Sequence, residues 1–155
     1  MPGRDPKHWL HRLTADEWLR AGMKELALAR AALTQHASRP ALASLRRAAG
    51  MGWNAVLALE LEPDAAFGRT YADHLRALSD GAPLPTDEFP LPDEVRRAAR
   101  LLMDDPVAQR PEVVQILTRT RDAKLVEAAE TILAESYARV VRRAHAQQAP
   151  DASSE

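Results

Sequence analysis

Between Ala41 and Leu61, residues Leu42, Leu45, Ala49, Gly52, Val56 and Leu59 recur at spacings of three, four, three, four and three. That spacing lays an apolar stripe along one side of a helix of about six turns. The middle of the stretch is thin, because Ala48, Ala49, Gly50 and Gly52 precede Trp53. Each interior glycine gives up about 1 kcal/mol relative to alanine, and the simplest compensation is close approach of another helix. The pattern predicts a buried central helix whose packing or interface residues are Ala49, Gly52, Trp53 and Val56. Asn54, just past the thin section, reads as a structural amide hydrogen-bonded to a neighbouring helix.

The flanking segments carry the same period. Thr14 and Glu17 form a capping-box pair that opens a first helix running to about His36, with Leu19, Met23, Leu26, Ala29 and Leu33 on its inner face. Arg30 lies beside that stripe as a solvated residue, and Trp18 flanks it. Ser38 and Pro40 open the central helix after a short break, so the first two helices are expected to be antiparallel. Glu62-Pro63-Asp64 separates the central helix from a third, with Asp64 as N-cap, Phe67, Tyr71, Leu75 and Leu78 as its stripe, and Asp80-Gly81 as its end. Four prolines between Gly81 and Pro92 predict an irregular crossover. Asp93 opens a fourth helix with Val95, Ala99 and Leu102 inside, and Asp104-Asp105-Pro106 stops it. A short helical piece follows Pro111, and Asp122 caps a last long helix. Leu125, Ala129, Ile132, Ser136 and Val140 line one face of that helix, with Leu133 and Tyr137 beside it. Arg139, Arg142 and Arg143 fall in its final turns, where positive charge complements the helix dipole.

The expectation is an all-α, up-down helical bundle of about five helices with an antiparallel first pair. One domain spans residues 14–146. Residues 1–13 form a flexible or loosely docked basic arm anchored by Trp9, Leu10 and Leu13, and residues 147–155 a disordered tail.

Composition narrows the function classes. Among 155 residues there are 30 alanines and no cysteine, which favours helix and excludes disulfides, thiolate nucleophiles and cysteine metal sites. The net charge of −1 gives no global field toward nucleic acid or an anionic membrane. No apolar run is long enough to span a bilayer and no signal peptide is visible, so the expected compartment is the cytoplasm. His8 and His11 have a spacing that suits a metal, but only Asp5 is near as a third ligand, and a solvated arm explains them. No metal and no cofactor are expected.

The run Glu17-Trp18-Leu19-Arg20 … Leu26-Ala27-Leu28-Ala29-Arg30-Ala31-Ala32-Leu33, followed by Ala43-Ser44-Leu45-Arg46-Arg47-Ala48-Ala49-Gly50-Met51-Gly52-Trp53-Asn54-Ala55-Val56-Leu57-Ala58-Leu59, resembles the opening helix pair of HEPN domains. These are small α-helical bundles, common in bacteria and archaea and often dimeric. The resemblance covers residues 14 to about 61, and the final helix loosely. Many members of that family are metal-independent ribonucleases or accompany nucleotidyltransferases. Their active forms carry an arginine and a histidine four to six residues apart. Arg69-Thr70-Tyr71-Ala72-Asp73-His74 has that spacing, with Thr70 where an asparagine is usual. The resemblance implies a catalytic pair in which His74 moves a proton and Arg69 stabilises phosphate charge. Arg4 with His11, Arg30 with His36, and Arg139 with His145 have similar spacings.

Two readings follow. The first is a non-enzymatic interaction protein, self-associating as a homodimer or binding a protein partner, with no membrane contact. The second is a HEPN-like ribonuclease, or an inactive toxin–antitoxin-type relative, that contacts RNA. A solvent-reachable His74 beside Arg69 is the feature that favours the second.

Overall fold

The structure is a computed structural model that describes residues 8–60, 67–84, 89–104 and 115–148. Among these residues it contains five α-helices, one 3-10 turn and no strand. The helices are α1 (Ala15–Thr34), α2 (Ser38–Leu57), α3 (Tyr71–Asp80), α4 (Asp93–Asp104) and α5 (Gln115–Gln148), and the turn spans Trp9–Arg12. This is the all-α bundle that the periodicity predicts. None of the described helices is long and apolar enough to cross a membrane.

Each boundary has a local cause. The Thr14 hydroxyl accepts from the Glu17 backbone N–H while the Glu17 carboxylate accepts from the Thr14 N–H, both at 3.1 Å, so the expected capping box is formed. α1 stops at Thr34, and His36 then adopts a left-handed φ of 56°. A second capping box, Thr70 with Asp73, starts α3. Helix α3 therefore begins four residues after Phe67, which lies in the preceding segment; Asp64, the expected N-cap, lies outside the described residues. Gly81 closes α3 at φ 74°, a left-handed conformation that glycine adopts without steric cost. Arg46 on α2 donates to the carbonyls of Leu102 (2.7 Å) and Met103 (3.3 Å), which satisfies the exposed end of α4.

α2 is the centre of the bundle. It packs on α1, α3 and α5, and thirteen of its twenty residues are buried. Two glycines set how closely its neighbours approach. A Cβ at Gly22 would lie 2.9 Å from Leu133 Cδ2 and 3.0 Å from the Ala48 carbonyl oxygen, and a Cβ at Gly52 would lie 2.7 Å from the same Leu133 methyl. Gly52 thus faces α5 of its own chain, and Ala49, Trp53 and Val56 are core packing residues. α1 differs from expectation here. Gly22 takes the inner position and Met23 is 58 % exposed, because the α2 backbone leaves no room for a side chain at the crossing.

The last helix also corrects the sequence reading. α5 is continuous from Gln115, so Asp122 is an interior residue that accepts from the Ser38 hydroxyl at 3.3 Å. Its C-terminal end continues to Gln148, and Tyr137 is 62 % exposed. Arg30 on α1 pairs with Glu130 on α5 at the surface.

The described part of the N-terminal arm is docked. Leu10 is core at 1 % exposure, and its carbonyl accepts from the Trp18 indole N–H at 2.8 Å. Residues 1–7 and 149–155 lie outside the described residues.

Candidate functional site

The Arg69-to-His74 segment is split by its own secondary structure. Thr70 is an N-cap and must leave the helical conformation, so Arg69 sits outside α3 in an exposed turn. His74, on the first turn of α3, faces inward and is 0 % exposed. The Asp73 carboxylate accepts from Thr70, whose hydrogen bonds are the main cause of its lowered pKa. The polar residues between the arginine and the histidine are therefore occupied with starting a helix.

Both ring nitrogens of His74 are engaged. Nδ1 lies 2.5 Å from the Phe67 carbonyl oxygen, and Nε2 lies 2.6 Å from Oδ1 of Asn54 on α2. A carbonyl only accepts, so Nδ1 carries the proton and donates. Burial holds the His74 pKa below its ordinary value, against smaller opposing effects from the Phe67 hydrogen bond and Asp73. The neutral ring must then accept at Nε2. The Asn54 amide supplies a donor when its NH2 group is turned toward the ring, and Nδ2 is otherwise buried with no partner among the described residues. Trp9 stacks on the other side of the imidazole at 5.9 Å between ring centres, and Tyr71 meets it edge-on at 6.3 Å.

In this arrangement His74 fastens α3, α2, the 67–70 turn and the N-terminal turn together. A general acid or base must reach its substrate directly or through one water, and this ring presents no nitrogen to solvent. The structure brings His74 to Asn54, which the sequence reading treated as separate, and leaves Arg69 outside.

A second polar constellation lies against Trp53. Arg139 of α5 is 4 % exposed, so its role is not that of a solvated charge at a helix end. Its Nε donates to Glu135 at 2.8 Å, and its terminal nitrogens donate to the carbonyls of Phe89 and Pro90 at 3.2–3.4 Å. The guanidinium carbon also sits 5.7 Å from the Trp53 ring centre, and that of Arg142 sits 3.7 Å above the Phe89 ring. Two α5 arginines thus hold the end of the α3–α4 connection onto the bundle. Beneath it is a cleft of about 350 Å³, lined among the described residues by Trp53, Gly81–Leu84, Phe89–Leu91, Arg96 and Arg139. Arg139 continues the inner stripe of α5, three residues after Ser136, but its charge points to solvent, and the partners that hold it inside come from a loop about fifty residues earlier.

Asp5, the third residue near His8 and His11, lies outside the described residues. His8 uses Nδ1 to accept from the Leu10 N–H, and no group of three or more potential metal-binding side chains exists among the described residues. Of the other Arg–His spacings, Arg30 is paired with Glu130, Arg139 is buried and His145 is exposed; Arg4 lies outside the described residues.

Comparison of the chain with family models, with curated proteins and with solved structures finds no match.

Proposed function

We propose that this chain is a non-enzymatic helical-bundle interaction protein that self-associates through the outer faces of α1 and α5. The observation that carries the reading is the set of large apolar side chains left in solvent on these two packed helices. Met23 and Leu28 on α1 are 58 % and 51 % exposed, and Tyr137 on α5 is 62 % exposed. Single exposed apolar residues are ordinary, and the reading takes these three as parts of one association surface. The burial of His74, with both nitrogens used inside the fold, supports the same reading because it withdraws the histidine that the resemblance implies as proton carrier. The HEPN resemblance fits best as an inactive relative of that family, with the bundle kept and the chemistry gone.

Sedimentation velocity over a concentration series tests the reading. The wild-type chain should form a dimer, and Met23→Glu with Tyr137→Glu should give a folded monomer with the same helical circular dichroism. A wild-type chain that stays monomeric at about 100 μM, a concentration well above weak but specific dissociation constants, would remove the self-association reading. RNA cleavage that is lost in His74→Gln would replace it with the ribonuclease reading.

A further inference from the structure

We draw no further inference here: the strongest candidate, the side-chain cluster of Trp9, Asn54 and His74 where the N-terminal turn meets α2 and α3, belongs to the site already described and spends both ring nitrogens of His74 on contacts within the fold.

Discussion

His74 of α3 and Asn54 of α2 are joined by a 2.6 Å hydrogen bond inside a region from which water is excluded. The bond links two packed helices, so it fixes their register as well as adding stability. Removing either partner leaves the other buried and unsatisfied. His74→Ala should therefore destabilise the bundle by about 3 kcal/mol, from the orphaned amide and carbonyl together with the cavity beneath Trp9. Urea denaturation followed by circular dichroism measures it. A loss below about 1 kcal/mol, the size of an ordinary surface change, would mean that the ring is not locked in place.

The same contact gives stability a pH dependence. Burial lowers the His74 pKa below 6.5, so as pH falls through that value the unfolded chain takes up a proton that the folded chain refuses. Stability contributed by the neutral ring is complete above about pH 6.5 and declines below it, until the folded-state pKa is passed. Melting temperature should drop between about pH 7 and pH 5, and His74→Gln should show a flatter profile over that window. Glu17 and Asp73 also have lowered pKa values, each chiefly from hydrogen bonds to its cap threonine, but their losses come at lower pH, below 4.5 and 3.8. A wild-type slope that survives unchanged in His74→Gln would show that the effect does not come from the His74 ring.

What was legible in the chain follows from which interactions are local. The capping box of Thr14 and Glu17 needs only residues three apart, and it formed as expected. The stripe from Leu42 to Leu59 needs only helical periodicity; its positions through Val56 are buried, while α2 ends at Leu57 and leaves Leu59 half-buried in the following turn. Met23 was misplaced because periodicity prefers a large apolar residue to an adjacent glycine, and only the distance to the α2 backbone decides for Gly22. His74 could not be separated from a catalytic histidine by spacing, since its partners Asn54 and Phe67 are set by how α2 and the preceding turn pack. Arg139 lies on the helical stripe three residues after Ser136, but the carbonyls that satisfy its charge inside lie about fifty residues away and leave no local signal.

Arg139 supplies a separate test. Lysine keeps the charge but cannot present a planar fork to Glu135, Phe89 and Pro90 at once. Arg139→Lys should leave most of the helix intact while freeing the end of the α3–α4 connection. Limited digestion with a glutamate-specific protease should then cut the Glu88–Phe89 bond several-fold faster than in wild type, because local opening governs cleavage. Equal rates in the two proteins would show that the guanidinium does not restrain that segment.

The glycines of α2 offer a graded measurement of how tightly the bundle is packed. Replacing an interior helical glycine by alanine gains about 1 kcal/mol of helix propensity, so the sign of each change depends on what the new methyl meets. At Gly50 it would lie 2.2–2.7 Å from the ring and Cβ of Tyr71, and a Cβ cannot move without its backbone. At Gly52 the only contact under 3 Å is the Leu133 Cδ2 methyl at 2.7 Å, the end of a side chain that can rotate. Gly50→Ala should therefore destabilise by about 1–3 kcal/mol, as overpacked sites do, while Gly52→Ala should stay within about 1 kcal/mol of wild type because the gain and the displacement offset each other. Gly52→Leu exceeds what Leu133 can yield, since its added carbons also run toward Ser136 Oγ, which stands 3.4 Å from the first of them and is held by the Ile132 carbonyl. It should lower the melting temperature below that of Gly52→Ala. If Gly50→Ala melted higher than wild type, helix propensity alone would be acting, and Tyr71 would not be seated against α2 in solution.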